Sequence, residues 1–468
     1  MIQNEWTSCS LDELLIHVIG GDWGQDNDFF DAEYETVSCI RGSEFRNWRK
    51  DQGATAVPRK IKKSSLDTRN LRSGDVLIEI SGGGPEQPVG RTVLITEQVL
   101  EQLPYPAICT NFLRLARPAK LFSSSYLNYF LTKFYLSGEV IKYQGGSNNL
   151  RNLKFKEFLT ITVPCPSFAE QKEIAERLDK LLAQVAATQA RLAHIPGIIK
   201  RFRQSVLAAA VSGKLTEEWR ESNKLPLPKE VKLEQIICEG PQNGLYKAQK
   251  FYGEGVRIIR IDGFYDGEII GWDKVKRLSL EDFEYSRWKL EVGDILVNRV
   301  NSIEYLGKSA IVRELPESAV FESNIMKFRV NPDEAIPEYI VKFLCSTTGL
   351  SELRKNAKLA VNQASINQQD VKNCQVYLPV PQEQTEIVRR VEQLFAYADT
   401  IEQQAKAAKE RVDKLTQAIL AKAFRGEFTL EWRAANPDLI SGDNSAAALL
   451  ARIQAERATA KPRKSRRG

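Results

Sequence analysis

Histidine and paired cysteine are scarce in this chain of 468 residues. It contains only two histidines, His17 and His194, and seven cysteines that lie far apart without any Cys-x-x-Cys pair. Neither histidine has a neighbour at the spacing of metal ligands, so we predict no metal site, and the odd number of scattered cysteines argues against a disulfide framework. No run of 18 or more apolar residues occurs, and the first ten residues lack the basic and then apolar pattern of a secretory signal. We therefore expect a cytoplasmic protein with no membrane partner.

Sequence signatures of catalysis are missing as well. The chain has no GxxxxGK phosphate loop followed by Ser or Thr, no HExxH helix, no GxSxG turn and no glycine-rich dinucleotide turn after a strand. It also lacks the Asn/Asp-Pro-Pro-aromatic motif of amino-group methyltransferases. Gly82 to Gly84 resemble a phosphate cradle only superficially, because no helix start follows them, and we predict a flexible loop there. We predict a protein without a catalytic residue; a nuclease or methyltransferase with an unrecognised site is an alternative.

The chain contains an internal duplication. Residues 170–220 and 383–433 align without a gap at an offset of 213, and 16 of the 51 pairs are identical. The upstream segments repeat more faintly, with LRSGDVLIEIS from Leu71 resembling LEVGDILVNRV from Leu290. Tyr126 and Tyr339, again at the same offset, each open an apolar segment that we predict to be helical. With 43% hydrophobic residues the chain can bury two or more cores, so we predict a variable domain and a spacer helix, each present twice.

Both copies of the repeat carry a heptad pattern. Apolar or small residues step by four and three from Ile174 to Ile195 and from Ile387 to Ala408, and Leu181 and Leu394 fall in the predicted seam. The second seam continues to Ile419, whereas Pro196-Gly197 should break or kink the first helix. We predict that the two helices pair antiparallel, which would place the variable domains at opposite ends of a rod about one turn of DNA long. A seam used for homodimerisation is the alternative.

A basic segment lies near the N-terminus. Between Arg41 and Arg72 there are ten basic residues against three acidic ones, with Phe45 and Trp48 among them. Basic residues interleaved with aromatic ones are typical of a nucleic-acid-binding surface, and an ordinary solvated surface is the alternative.

Polar residues recur at aligned loop positions of the two variable domains. Arg forms paired hydrogen bonds to guanine, and Asn or Gln to adenine, so such side chains on loops suit the reading of base edges. Asn and Ser also satisfy the backbone of turns, which is the alternative for each single residue. The predicted DNA-binding residues are Arg41, Arg46, Arg49, Gln87, Asn148, Asn149, Arg151, Arg260, Asn298, Arg299, Asn301, Asn362, Gln363 and Asn367.

The repeated segments resemble a known family. The sequences AEQKEIAERLDKLLAQV and RFRQSVLAAAVSGKLTEEWR, with EQTEIVRRVEQLFAYADTIEQQ and LTQAILAKAFRGEFTLEWR, are similar to the central and distal repeats of the specificity subunits of type I restriction-modification enzymes. The segment NPDLISGDNSAAALLARIQAERA resembles the K family, or type IA. A duplicated coiled-coil scaffold that assembles partners without reading DNA is the competing interpretation.

The resemblance implies an architecture and a division of labour. The fold would be α+β, with two target recognition domains of mixed α/β structure separated by two long antiparallel spacer helices and related by pseudo-twofold symmetry. The implied boundaries are 1–156 and 225–372 for the recognition domains, 157–224 and 373–435 for the repeats, and 436–468 for a C-terminal tail. The chain would recognise a split site in double-stranded DNA and bind no cofactor. Two modification subunits would hold S-adenosylmethionine and methylate adenine, and two restriction subunits would use ATP and Mg²⁺ to translocate and cut.

Two further segments carry predictions. The pairs Gly213 with Trp219 and Gly426 with Trp432 end the two repeats in nearly the same way, so we predict that each docks one modification subunit; capping of the helix ends is the alternative. The last eight residues, KPRKSRRG, contain five basic residues and no acidic one. We predict that this end is disordered and attracts phosphates without specifying a sequence.

Overall fold

The computed structural model describes residues 6–84, 87–146, 151–361 and 363–460. The chain forms two compact units: unit 1 comprises residues 1–190 and 409–468, and unit 2 comprises residues 191–408. The predicted C-terminal basic end, 461–468, lies outside the described residues. No helix in the described part of the chain combines the length and apolarity needed to cross a membrane.

Each unit contains a mixed α/β domain. In unit 1 a four-stranded antiparallel sheet orders its strands as Leu15–Gly20, Leu113–Pro118, Val76–Glu79 and Thr92–Leu94. Beside it lie three smaller sheets, made of Val57–Lys62, Tyr34–Ile40 and Ala107–Cys109; of Thr7–Ser10 and Thr162–Cys165; and of Gln144–Gly145, Arg151–Leu153 and Ser81–Gly83. Its helices outside the spacers include Leu11–Leu14, Trp48–Asp51, Lys63–Arg69, Glu97–Glu101, Ser124–Leu136, Phe155–Phe158, Leu430–Ala435 and Ala446–Ala460.

Unit 2 repeats this plan with a larger central sheet. Its six strands are ordered Ile237–Asn243, Ile325–Val330, Ile295–Asn298, Ser309–Ile311, Gly267–Ile269 and Phe264–Tyr265. The smaller sheets are made of Arg277–Leu278, Tyr252–Ile259 and Ala319–Phe321; of Lys229–Lys232 and Gln375–Leu378; and of Val300–Asn301, Gln363–Ser365 and Lys358–Ala360. Its helices outside the spacers include Glu217–Ser222, Leu233–Ile236, Asp282–Trp288, Pro337–Cys345, Thr347–Arg354 and Gln368–Lys372.

The repeated Gly-Asp dipeptide forms the same buried ion pair in both domains. Asp75 is fully buried and accepts from the Arg117 Nε at 2.7 Å, and Asp294 is fully buried and accepts from the Arg329 Nε at 2.5 Å. Burial raises the pKa of the Asp294 carboxyl, whereas the adjacent Arg329 opposes that rise. The faint upstream similarity therefore reflects a turn that each central sheet needs, because an unpaired carboxylate in this position would be costly to bury.

Two long spacer helices, Phe168–Val211 and Pro381–Ala423, contribute to both units. In unit 1 the Gln189 Nε2 donates to Asp413 Oδ1 at 2.9 Å, and in unit 2 the Arg203 Nη2 donates to Glu402 Oε2 at 3.1 Å. In unit 2 Arg203 also pairs with Asp399. Later residues of the first helix thus meet earlier residues of the second, so the helices pack antiparallel and the predicted fold class is confirmed.

The proline inside the first spacer helix does not end it. Pro196 lies within the continuous helix Phe168–Val211, so the prediction of a break at Pro196-Gly197 is wrong. A proline removes one main-chain donor and crowds the preceding turn. The 44-residue helix persists because its length supplies many other hydrogen bonds, and its two ends are held in the cores of different units.

The buried face of the helices is wider than a two-helix seam. Thr188 and Leu415, both in the predicted heptad positions, are exposed, and Leu181 and Leu394 are only partly buried. Leu182 is instead 4% exposed and belongs to the main core of unit 1. The predicted seam residues Ile174, Leu178 and Val185 are buried as well. The helices pack on the α/β domain near their ends as well as on each other, which widens the buried stripe beyond the a/d positions.

Substitutions of Leu181 and Leu182 distinguish the predicted heptad seam from the buried stripe of the structure. Replacing Leu182 with Ala should lower the free energy of unfolding by about 2–5 kcal/mol, because it leaves a cavity in a close-packed core. Leu181→Ala should cost clearly less, because that side chain already reaches solvent. Urea denaturation of the two variants would measure both values. A larger loss for Leu181→Ala would favour the plain heptad seam.

The matching residues at the ends of the two repeats form a buried hydrogen-bonded ion pair in each unit, which we call the clamp. In unit 1 the Glu170 Oε1 accepts from the Arg433 Nη1 and from the Thr429 Oγ1, both at 2.5 Å. In unit 2 the Glu383 Oε1 accepts from the Arg220 Nη1 at 2.8 Å and from the Thr216 Oγ1 at 2.7 Å. All six side chains are buried. The start of one repeat is therefore bound to the end of the other, which explains why these positions are the same in both copies.

Each arginine of the clamp also closes the turn that follows a spacer helix. The Arg433 Nη2 donates to the carbonyl of Gly426 at 3.0 Å, and the Arg220 Nη1 donates to that of Gly213 at 3.1 Å. Gly426 and Gly213 have φ of +74° and +73°, a conformation that strongly favours glycine. One guanidinium thus pairs with the carboxylate and caps the helix end.

Removing the clamp arginine should strongly destabilise the protein. Arg433→Met would leave the buried Glu170 carboxylate unpaired, and we expect a loss of about 3–5 kcal/mol in the free energy of unfolding. Arg220→Met should act in the same way through Glu383. As a control, Arg389→Met removes the exposed Arg389 from its ion pair with Glu386, which keeps Arg390 as a partner, and should leave the stability almost unchanged. Equal melting temperatures for the Arg433 and Arg389 variants would show that the clamp does not hold the unit together.

Candidate nucleic-acid interface

Two loops that are far apart in the sequence of unit 2 come together in one small sheet. Strand Val300–Asn301 pairs antiparallel with Gln363–Ser365, and the Ile366 main-chain N–H donates to the carbonyl of Arg299 at 3.0 Å. A third strand, Lys358–Ala360, pairs with the other side of Gln363–Ser365. We call these three strands the loop sheet of unit 2. It brings the predicted residues Arg299, Asn301 and Gln363 onto one element.

Unit 1 has a corresponding loop sheet. It consists of Ser81–Gly83, Arg151–Leu153 and Gln144–Gly145, so the glycine-rich segment is in part a strand, and the prediction of a flexible loop is wrong for Ser81–Gly83. The Ser81 Oγ donates to Asn152 Oδ1 at 2.6 Å across the sheet. The predicted residue Arg151 lies on its central strand and is partly exposed.

The predicted residues of the unit 2 loop sheet differ in their freedom to contact a ligand. Gln363 is exposed. Arg299 is partly buried; its Nη1 donates to the carbonyl of Ser323 at 3.2 Å, and its buried Nε has no hydrogen-bond partner among the described residues. The Asn301 Oδ1 accepts from the Ser302 main-chain N–H at 2.8 Å, which fixes the start of the following turn. Gln363 is therefore the side chain best placed to reach outward, and Arg299 is partly exposed beside it.

Two of the predicted asparagines have structural roles. Asn298 is fully buried, and its Nδ2 donates to the carbonyl of Tyr305 at 3.3 Å. Asn367 caps the helix Gln368–Lys372, because its Oδ1 accepts from the main-chain N–H of Gln369 at 2.7 Å. Asn298 cannot contact a base without leaving the core, so we do not retain it as a base-reading residue; Asn367 serves first as a cap.

The other predicted residues are placed as follows. Arg260 is partly exposed and pairs with Glu322 at 3.2 Å, and Gln87 is partly buried beside the loop sheet strand Ser81–Gly83. Arg41 pairs with the buried Glu44 at 2.7 Å. Arg46 and Arg49 are exposed on the turn Gly42–Asn47 and the helix Trp48–Asp51. Three predicted residues, Asn148, Asn149 and Asn362, lie outside the described residues.

The sequence reasoning missed an aromatic position that both domains share. Trp23 and Tyr246 each lie two residues after a glycine, Gly21 or Gly244, that packs directly against the main chain of a neighbouring strand. Trp23 is 39% exposed and Tyr246 is 80% exposed. The Arg59 guanidinium lies 4.3 Å from the Trp23 ring centroid. The matching Gly-x-aromatic spacing was the available signal, although it is too short to stand out in the sequence alone.

A polar pocket lies beside Trp23. Its volume is about 590 Å³. Gln25, Lys62 and Asn111 line it, and its floor is ordered by the Ser65 Oγ, which donates to Asp22 Oδ2 at 2.6 Å. Amide and ammonium groups of this kind can donate to base edges or phosphates, so this pocket extends the candidate interface of unit 1 beyond the loop sheet.

In unit 2 a lysine is surrounded by aromatic rings. The Lys308 Nζ lies 3.6 Å from the Tyr265 ring centroid and donates to the carbonyl of Ile261 at 2.6 Å. Burial lowers the pKa of Lys308. The site therefore holds its cation by a carbonyl and by ring faces rather than by a carboxylate.

Among the residues predicted to dock partners, the two glycines end helices and the two tryptophans are partly exposed. Gly213 and Gly426 are fixed by their positive φ and by the clamp arginines, so capping accounts for both glycines. Trp219 and Trp432 are half-buried. The carbonyl of each tryptophan accepts from an asparagine Nδ2 at 2.7 Å, Asn223 in one unit and Asn436 in the other. The main chain at the two tryptophans therefore has the same local hydrogen bonding in both units.

No group of three or more His, Cys, Asp or Glu side chains suited to a metal ion occurs in the described part of the chain. The candidate interface consists instead of hydrogen-bond donors, cations and aromatic rings on loops and short strands. Such an arrangement can recognise a polyanion and the edges of its bases.

Comparisons with known proteins agree with this chemistry. Residues 4–196 and 237–410 match the family described as "Type I restriction modification DNA specificity domain". The EcoKI specificity subunit of Escherichia coli strain K12 is 40% identical over 92% of this chain and 91% of its own length. The StySPI specificity subunit of Salmonella potsdam is 37% identical over 99% of this chain and 97% of its own length.

Two solved structures share the fold. The HsdS subunit from Thermoanaerobacter tengcongensis aligns with a TM-score of 0.56 at 17% identity, covering 91% of this chain and 97% of that one. A chain described with the assembly and conformational transition of the type I restriction-modification system aligns with a TM-score of 0.62 at 16% identity, covering 90% and 98%. With the family match spanning both halves of the sequence, the chain belongs to the family of type I restriction-modification DNA specificity subunits.

Proposed function

We propose that this specificity subunit recognises a bipartite sequence in double-stranded DNA, one half through each unit. The observation that carries the proposal is the pair of loop sheets, because in each unit two distant loops with base-reading side chains form one small sheet. Arg151, Arg299 and Gln363 are the leading candidates for base contacts. Two domains of similar plan but different surface residues would read two different half-sites.

We propose further that the subunit directs chemistry that its partners perform. A specificity subunit is a non-catalytic component of a type I enzyme. Two modification subunits would hold S-adenosylmethionine and methylate adenine, and two restriction subunits would use ATP and Mg²⁺. The repeated surfaces around Trp219 and Trp432 support two equivalent docking sites for the modification subunits, since the main-chain carbonyls of both residues accept the same hydrogen bond from an asparagine.

Exchanging one recognition domain tests the modular proposal. The segment 225–372 is replaced by the corresponding domain of another family member, and DNA selected from a random pool by the assembled complex is sequenced. We expect one half of the split site to change while the other half and the methylation activity are kept. A change in both halves or in neither would contradict two independent readers. Selection of no motif at all by the unexchanged complex would favour a scaffold that does not read DNA.

Arg299 tests whether the loop sheet reads bases. Arg299→Ala should weaken binding to the selected site by about 1–3 kcal/mol and relax the preference at one base position, if the guanidinium contacts a base edge. Fluorescence anisotropy on the selected site and on each single-base variant would measure this. Asn298→Ala is not a suitable control, since it empties a buried position. Gln363→Ala, on the paired strand, is the better second variant, and an equal loss on all sequences would assign Arg299 to a phosphate.

A further inference from the structure

An exposed aromatic residue lies beside the loop sheet in each unit. Trp23 of unit 1 and Tyr246 of unit 2 have the same position relative to a turn, which comprises residues 110–112 in unit 1 and 322–324 in unit 2 and which we call the central turn. In both units the carbonyl of its first residue accepts from the main-chain N–H three residues later at 2.9 Å. Each central turn is hydrogen-bonded to the segment with the aromatic residue and to the segment that enters the loop sheet.

In unit 2 these hydrogen bonds involve two residues of the central turn. The Ser323 main-chain N–H donates to the carbonyl of Leu245, the residue before Tyr246, at 2.9 Å. The carbonyl of Ser323 accepts from the Arg299 Nη1 at 3.2 Å. The Arg299 main-chain N–H donates to the carbonyl of Asn324 at 2.8 Å, and Arg299 directly precedes a strand of the loop sheet. The aromatic segment and the loop sheet therefore share one turn.

Unit 1 has the corresponding main-chain bonds. The Asp22 main-chain N–H, directly before Trp23, donates at 2.8 Å to the carbonyl of Cys109, the residue that enters the central turn. The Ile80 main-chain N–H donates to the carbonyl of Phe112 at 2.9 Å, and Ile80 directly precedes a strand of the loop sheet. The main chain at this edge is thus the same in both units, although the side chains of the loop-sheet segments differ.

This main chain requires a glycine before each aromatic residue but does not require the ring. A Cβ at Gly21 or at Gly244 would lie only 2.1 Å or 2.2 Å from a carbonyl oxygen of the central turn. No such restraint explains the residue two positions later, because Trp23 is 39% exposed and Tyr246 is 80% exposed. Exposed Trp and Tyr rings give a large contact area at a low cost in side-chain entropy. Both units therefore present a ring that suits a contact with a ligand.

An arginine holds the ring of unit 1 in place. The Arg59 Nε donates to the carbonyl of Trp23 at 3.0 Å, and its Nη2 donates to that of Gly24 at 3.3 Å. Arg59 also pairs with Asp26, and its guanidinium lies over one face of the Trp23 ring. The ring lines the polar pocket together with Asn111 of the central turn. Trp23 is therefore oriented before any ligand binds.

The ring of unit 2 has no comparable support. Lys247 and Lys250, its basic neighbours in the loop, lie over Phe251 at 4.6 Å and 5.1 Å from the ring centroid. Within the part of the chain that the structure describes, no cation lies over the Tyr246 ring and its hydroxyl makes no hydrogen bond. Both the ring and the hydroxyl are therefore available to a ligand.

We propose that Trp23 and Tyr246 are specificity-determining residues, each of which packs its ring against the edge of a base in the half-site that its own unit reads. The inference rests on the proposed function, because the ligand is the bipartite DNA. Phosphates are bound mainly by cations and hydrogen-bond donors, whereas an apolar ring suits the apolar part of a base edge, such as the methyl group of thymine. Each ring would add this contact to the polar contacts of the adjoining loop sheet. Arg59 is a positioning residue that acts through Trp23.

Alanine substitutions of the two rings test the proposal in the complex assembled with modification subunits. Trp23→Ala and Tyr246→Ala remove the rings. Tyr105→Ala and Tyr377→Ala are matched controls, since these rings are 44% and 51% exposed and lie away from the central turns. DNA selected from a random pool is sequenced for each complex, and fluorescence anisotropy measures its affinity for the wild-type site. Thermal unfolding of each full-length chain establishes that it folds.

The two alanine variants should affect different halves of the motif. We expect Trp23→Ala to relax one base position in one half and Tyr246→Ala to relax one position in the other half. Affinity for the wild-type site should fall by about five-fold to one-hundred-fold in each case. Both controls should keep the motif and the affinity. Tyr246→Phe retains the ring and should also keep the motif; if it behaved like Tyr246→Ala, the hydroxyl would make the contact and the ring proposal would be wrong.

A double substitution tests the role of Arg59. Arg59→Met should relax the same base position as Trp23→Ala, because the ring is no longer held. Arg59→Met combined with Trp23→Ala should be no worse than Trp23→Ala alone, since a residue that acts through the ring has no effect once the ring is absent. A further loss in the double variant would show that Arg59 contacts DNA itself and would contradict its positioning role.

Three results would overturn the proposal for the rings. These are an unchanged motif and affinity in both alanine variants, a change in both halves of the motif from either single variant, and an equal loss of affinity on all sequences. The last result would assign the rings to the sugar-phosphate backbone. Failure of the proposed function looks different, because the unsubstituted complex would then select no motif.

Discussion

Both units depend on a buried carboxylate that is held by an arginine and a threonine from the other repeat. Glu170 with Arg433 closes unit 1, and Glu383 with Arg220 closes unit 2. A buried charge is tolerated only when it is paired and hydrogen-bonded, so the clamp fixes which helix ends can meet. The same arginine binds the carbonyl of the glycine that ends the spacer helix, which orients the tryptophan-bearing turn beyond it. This one interaction thus determines how the helices pair, where the spacer helix ends and how the following turn is placed.

A second contact connects each spacer helix to its α/β domain. The Gln171 Oε1 accepts from the Ser123 main-chain N–H at 2.8 Å, and the Gln384 Oε1 accepts from that of Ile336 at 2.7 Å. These glutamines are fully buried and follow the clamp glutamates directly in the sequence. The repeated dipeptide Glu-Gln therefore has two tasks: the glutamate binds the other repeat and the glutamine binds the α/β domain. The loops of the candidate interface are free to differ between the units because these contacts do not involve them.

The two units have diverged where their domains meet the helices. Arg313 in unit 2 pairs with three carboxylates, whereas Thr96, two residues after the corresponding strand in unit 1, lines a cleft of about 980 Å³ together with Arg46 and Arg49. An internal duplication begins with two identical surfaces. Each later substitution changes the surface of one unit without changing the other. The repeated interior and the altered surface together suit a protein that must fix two similar domains while offering different contacts at each.

The amino-acid sequence determined the duplication, the two long helices, their antiparallel pairing and the family, because these follow from an exact offset and from periodicity along one chain. It also indicated loops whose residue types suit the reading of base edges. Only the tertiary structure decided which of them are available: Asn298 points into the core and Asn367 caps a helix, whereas Gln363 is exposed. The heptad pattern likewise predicted Leu181 to be buried and not Leu182. Such a pattern describes the contact between two helices and does not include the α/β domain that also packs on them. Burial and pairing depend on residues that are distant in the chain, and for that reason the clamp and the loop sheets became visible only in the folded structure.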